Sequence, residues 1–131
     1  MKVISLEGFE YSGKSTQINL LRNYFNKKRI LSNFTREPGG NKELEKIRKI
    51  VLQSNFDNLS LILFFFASRF SLLSNINTRG ILVFDRFFDS TYAYQKYTKQ
   101  DKDLILRLIK QIDKKFLPQL TFFLKIDKKT L

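Results

Sequence analysis

Apolar and polar residues alternate over residues 2–6, with β-branched Val3 and Ile4, and this predicts a strand. A glycine turn follows, then helical spacing over residues 14–27, where Leu20, Leu21, Tyr24 and Phe25 are expected to form the apolar face. Residues 30–35 predict a second, shorter strand, and Pro38-Gly39-Gly40 is a firm break. Leu44, Ile47 and Val51 mark a helix over residues 42–53. Asp57 or Asn58 can cap a longer helix that runs to about Asn75, with residues 61–66 mostly in the core. Gly80 introduces a short apolar run, residues 81–84, of the buried-strand type. Asp101 starts a further helix with Leu104, Ile105, Leu108, Ile109 and Ile112 on one face, and Pro118 precedes a last strand over residues 120–126. Four strands alternating with four helices argue for βαβ units, an α/β fold with a parallel sheet. Residues 127–131 can start a helix but not complete one, so the fold is expected to be unfinished there.

Composition narrows the chemistry. The 131 residues are 43% hydrophobic and 27% charged, which suits one domain with a buried core. The chain has no Cys and no His, so disulfides, thiolate or imidazole metal sites, thiol nucleophiles and His-based triads are excluded. Acid–base work falls to carboxylates, and charge stabilisation to Arg and Lys. The net charge of +12 suits an anionic partner. Lys, Asn, Ile and Phe together supply 51 of 131 residues, and these are residues of AT-rich codons, so genome bias competes with selection for a partner as the source of the basicity. The longest apolar run, residues 61–67, is far short of the roughly 20 residues that span a bilayer. No signal peptide, membrane partner or linker is read from the sequence, and a cytoplasmic protein is expected.

One motif carries direct chemistry. Gly8-Phe9-Glu10-Tyr11-Ser12-Gly13-Lys14-Ser15 fits G-x-x-x-x-G-K-[ST], a phosphate loop, and lies between a predicted strand and a predicted helix that continues through Thr16. The glycines let successive N–H groups turn inward around phosphate oxygens. Lys14 can reach the β- and γ-phosphates, the Ser15 hydroxyl can ligate Mg²⁺, and the helix directs its N-terminal dipole at the anion. The plain alternative is a glycine turn that only joins strand to helix.

Three further segments narrow the reading. They are Thr35-Arg36-Glu37-Pro38-Gly39-Gly40, Phe64-Phe65-Phe66-Ala67-Ser68-Arg69, and the stretch Asp85-Arg86-Phe87-Phe88-Asp89-Ser90-Thr91-Tyr92-Ala93-Tyr94-Gln95. With Leu6-Glu7-Gly8-Phe9-Glu10 and Pro118-Gln119-Leu120-Thr121, they make the chain resemble the thymidylate kinases, over essentially its whole length. The resemblance implies a P-loop NTPase fold with the first strand central. It implies phosphoryl transfer from ATP to dTMP with Mg²⁺, Lys14, Arg86 and Glu10 as catalytic residues, and residues 8–16 binding ATP.

Each position also has a physical reading. Arg36 and Arg86 follow strand ends, where parallel sheets bind ligands, and guanidinium forks suit a monophosphate; surface ion pairs are the alternative. By the resemblance both hold the dTMP phosphate. Phe65 and Arg69, at i and i+4, share a helix face, so Phe65 can stack on a pyrimidine and Arg69 hydrogen-bond its O4. A plain core role competes for Phe65. Asp85 ends an apolar strand at a position that reaches Mg²⁺ through water, or it caps a turn. The resemblance further gives Glu10 the sugar 3′-OH and metal region, Thr91 the thymine ring, and Tyr94 a place near C2′ that disfavours ribose.

The phosphate loop holds no extra arginine, so the chain is similar to the branch of the family that supplies one from a lid. By the resemblance the family continues for about half this length again, with the lid arginines, a helix, the fifth strand and much of the adenine pocket. Residues 1–131 are thus expected to form one kinase domain, incomplete at the C-terminus and a possible homodimer. Three alternatives are a weak or inactive nucleotide-binding remnant, another P-loop nucleotide or nucleoside kinase, and a basic nucleic-acid-binding module. The last is disfavoured because the aromatics sit in core-like runs.

Overall fold

Strand propensity and helix caps set the element order in the computed structural model, which describes residues 1–77 and 79–126. The elements are β1 (Lys2–Gly8), α1 (Lys14–Lys27), β2 (Ser32–Arg36), α2 (Lys42–Gln53), α3 (Asn58–Asn75), β3 (Ile81–Asp85), α4 (Phe88–Gln95), α5 (Lys99–Ile109) and β4 (Leu120–Leu124), with a short 3₁₀ turn, Lys114–Phe116, before β4. The possible helix start over residues 127–131 lies outside the described residues.

Three helices begin on side-chain caps. Asn41 accepts from the Leu44 N–H at 2.8 Å, and Asp57 from the Ser60 N–H at 2.9 Å. At α5 a reciprocal capping box joins Thr98 and Asp101, so this helix starts two residues earlier than its apolar spacing indicates.

All strand pairs are parallel, in the order β2-β3-β1-β4. The register aligns the C-terminal strand ends: Arg36 opposite Asp85, Leu6 opposite Asp85, and Gly8 opposite Leu124. The phosphate loop therefore leaves an interior strand of the sheet, between the exits of β3 and β4.

Alternation along the strands divides the core. Val3, Leu82 and Phe84 pack with Ile62, Phe66, Phe87 and Ile105, on the face covered by α2 to α5. Leu6 and Val83 pack with Ile18 and Phe25 of α1 on the opposite face. The buried face of α1 is thus Ile18, Leu21 and Phe25, spaced i, i+3, i+7, whereas Leu20 and Tyr24 are exposed, contrary to the expected face. On α5, Ile105 is buried and Leu104, Leu108 and Ile109 pack against the core, as the spacing predicts; Ile112, expected on the same helix face, is buried beyond the end of the helix.

Helix α4 was not predicted. Its buried residues are Thr91 and Gln95, so it has no apolar stripe to read. α3, at 18 residues, is long and apolar enough to cross a membrane by length and composition alone. Here Ile62, Phe66, Leu72 and Leu73 bury it in the core. Leu63 and Phe64 are exposed, so residues 61–66 supply the core on one side only.

Candidate functional site

Backbone geometry shapes the phosphate loop first. Gly8 has φ 147°, and a Cβ there would lie 2.6 Å from the Leu124 carbonyl oxygen. Gly13 caps α1 in the left-handed region at φ 80°. α1 has neither a side-chain cap nor an acidic residue in its first turn, so its leading N–H groups remain available to an anion. Lys14 is buried and folds back over the loop. Its Nζ donates to the carbonyls of Phe9 at 2.6 Å and Gly8 at 3.0 Å, and to Ser12 Oγ at 3.3 Å. Burial first, then nearby Arg86, lowers its pKa. Thr16 is exposed on the first turn of α1.

Beside the loop lies a cavity of about 220 Å³. Six predicted residues line it together: Glu10, Phe65, Arg69, Arg86, Thr91 and Tyr94. Seven others join them: Glu37, Pro38, Arg48, Leu52, Phe87, Ser90 and Gln95. Arg69 is 2% exposed and Glu37 5%. Arg69 Nε donates to Glu37 Oε2 at 2.6 Å, and Nη2 donates to Thr91 Oγ1 at 3.0 Å. The guanidinium lies over the Phe66 ring at 4.6 Å and the Phe87 ring at 5.3 Å. Arg69 Nη1 and Glu37 Oε1 are buried with no protein hydrogen-bond partner. Burial pushes the Glu37 carboxyl up to about 7, even against the pull of Arg69.

Arg86 occupies the left-handed region at φ 66°, an uncommon place for a side chain of this size. A buried carboxylate supports that turn. Glu7 Oε1 accepts from the Phe87 N–H at 2.7 Å and Oε2 from Ser90 Oγ at 2.5 Å, while Arg86 Nη1 donates to Ser90 Oγ at 3.1 Å. Desolvation raises the Glu7 pKa. Strain of this kind persists where surrounding contacts impose it, and it clusters at functional positions.

A second cavity, of about 440 Å³, is lined by Ser15, Arg36 and Asp85 among others. Ser15 and Asp85, the expected metal residues, thus come together. Their hydroxyl and carboxylate oxygens suit Mg²⁺, which keeps waters and substrate phosphates as its remaining ligands. Among the described residues no cluster of three or more carboxylates forms a dedicated metal cage.

Arg36 lines this second cavity, apart from the first. It makes a two-pronged pair with Glu45, Nε to Oε1 at 2.8 Å and Nη2 to Oε2 at 2.6 Å. Hydrogen bonds from Arg36 hold the Glu45 carboxyl down to about 2. Arg48 of α2 lines the first cavity instead. Its Nη1 donates to the Pro38 carbonyl at 2.8 Å. Arg48 went unread because it sits in ordinary helical sequence. Glu7 and Glu37 lie inside the segments that carry the family resemblance, residues 6–10 and 35–40, and their burial appears only with the fold.

The family model for thymidylate kinase matches residues 6–131. A thymidylate kinase of Wolbachia pipientis (strain wPip) is 41% identical over 132 residues, covering 95% of this chain and 64% of the relative. One from Chlorobium phaeobacteroides is 36% identical, covering 95% of this chain and 60% of the relative. The crystal structure of thymidylate kinase from Ehrlichia chaffeensis superposes with a TM-score of 0.85 at 35% identity, covering 98% of this chain and 78% of that one. The chain therefore spans under two thirds of the length of the first two relatives.

Proposed function

The chain belongs to the thymidylate kinase family, and from that premise we propose that it serves the reaction ATP + dTMP → ADP + dTDP. One observation carries the reading: the phosphate-loop residue Glu10 lines the same cavity as Arg48, Arg86, Phe65 and the buried Arg69. A base can enter between Phe65 and Arg69, with its sugar toward Tyr94 and Glu10 and its phosphate toward Arg86 and Arg48. That arrangement directs the acceptor phosphate toward the loop that holds the donor.

Catalysis on this reading is positioning and charge neutralisation, without a covalent intermediate. Residues 8–16 hold the ATP phosphates, and Lys14 leaves its backbone acceptors for the β- and γ-phosphates. Arg86 faces both substrates, its guanidinium steadied by Ser90 and its backbone turn by Glu7. Arg36 is assigned to the donor and metal side of the site, with Ser15 and Asp85. The Ser15 hydroxyl and the Asp85 carboxylate would hold Mg²⁺, which would supply positive charge to the phosphates. Thr91 fixes Arg69 against the thymine ring.

The reaction uses soluble nucleotides, so we assign it to the cytoplasm. Ile50 of α2 and Leu59, Leu63 and Phe64 of α3 are exposed apolar residues that suit a homodimer. The deciding experiment measures ADP formation with dTMP, dUMP, dCMP and thymidine as acceptors. Preference for dTMP is expected; phosphorylation of thymidine instead would replace this reading with a nucleoside kinase.

A further inference from the structure

We propose that Glu37 is the specificity-positioning residue of the acceptor cavity: it fixes Arg69 so that one guanidinium nitrogen selects a pyrimidine with an oxygen, not an amino group, at position 4. The inference rests on the kinase reading above and deepens it.

Arginine offers five N–H donors and no acceptor. In this chain Nε is taken by Glu37 and Nη2 by Thr91, and only Nη1 has no protein partner. The guanidinium also lies over the rings of Phe66 and Phe87, which restrict its movement. Three constraints on one planar group leave it a single orientation. In a side chain that lines the cavity, Nη1 is the donor left for a ligand. A 4-oxo pyrimidine accepts from it. A 4-amino pyrimidine places donor against donor and leaves a buried charge without its hydrogen bond, the kind of mismatch that discriminates strongly.

Glu37 is the constraint that decides. A carboxylate only accepts, so it cannot invert its contact with Nε. Asp89 also lies within electrostatic reach of Arg69, and Glu7 within reach of Glu37. With Glu37 neutral, Arg69 is drawn toward Asp89 and its Nη1 leaves the fixed orientation. Stability alone gives little reason for such a pair, because a buried ion pair recovers its desolvation cost only in part.

The test uses Glu37→Gln in the full chain, measuring dissociation constants for dTMP, dCMP and ATP by calorimetry, with a thermal melt beside them. The expected result is a dTMP-over-dCMP preference reduced at least tenfold, with ATP affinity within twofold of wild type. A folded variant that keeps the wild-type preference overturns the proposal. Should Glu37→Gln not fold, Glu37→Asp carries the test, since it keeps the charge and withdraws the carboxylate by one methylene. A preference reduced at least threefold supports the proposal and an unchanged one overturns it. Failure of both variants to fold makes Glu37 a folding residue and also overturns it. Wild-type chain that binds dTMP no better than dCMP fails the kinase reading itself, a result visible before any substitution is made.

Discussion

Single side chains divide the work between the two cavities. Lys14 lies against the phosphate loop through backbone carbonyls, so Lys14→Ala removes a charge without opening the core. ADP formation by that variant is expected below about a tenth of wild type, because positioned charge supplies most of the catalysis in phosphoryl transfer. Arg69→Ala should weaken dTMP binding by roughly 1.5–3 kcal/mol, the size of a hydrogen bond to a charged group. The same change strands Glu37, so the melting temperature falls as well. ATP affinity, measured at one temperature in folded protein, should barely move; equal loss for both nucleotides would make Arg69 purely structural. Motif spacing points to Lys14 and Ser15, because a phosphate loop needs them at fixed offsets, while Phe65, Arg69 and Arg86 are legible through the family resemblance. It could not sort Arg36 from Arg48. Arg48 lines the first cavity and Arg36 the second, where Arg36 pairs with Glu45, a partner that only the fold brings to it.

Helices and strands follow local physics where the sheet does not intervene. α3 begins where its cap predicts, α2 where its apolar spacing does, and β3 lies where its apolar run does. α4 escaped because a helix that faces a ligand cavity buries polar side chains and lacks the apolar stripe that marks a core helix. The exposed Leu20 and Tyr24 on α1 teach a related lesson: two neighbouring apolar ridges were present, and packing against β1 and β3 chose one. At α5 the capping box gives a direct test. Thr98→Ala should cost about 1 kcal/mol in urea denaturation, with the m-value unchanged. A loss below about 0.3 kcal/mol would show that tertiary packing alone holds the start of this helix.

Across the whole molecule, the absence of His leaves the range from pH 5 to 7 to displaced carboxylates. Glu37 titrates near 7 in the folded chain against an ordinary 4.5 unfolded. Below 4.5 both states are protonated and the group contributes nothing. As pH rises from 4.5 through 7 the unfolded state ionises first, so stability falls, by about 3 kcal/mol from Glu37. Glu7 and Asp89, also raised by burial, act in the same direction. Urea midpoints should therefore fall from pH 5 to pH 8, and Glu37→Gln should flatten much of that slope; a flat wild-type profile would refute the assignment. The contact between Gly8 and Leu124 has a consequence for synthesis on the ribosome. The carbonyl that walls the first glycine of the phosphate loop belongs to a strand made 116 residues later. At about 5–20 residues per second, the nascent loop waits roughly 6–23 s for it. A chain stalled after residue 100 carries the entire glycine–lysine motif, yet on an ATP resin it should not be retained. A strand translated long after the phosphate loop is what walls it.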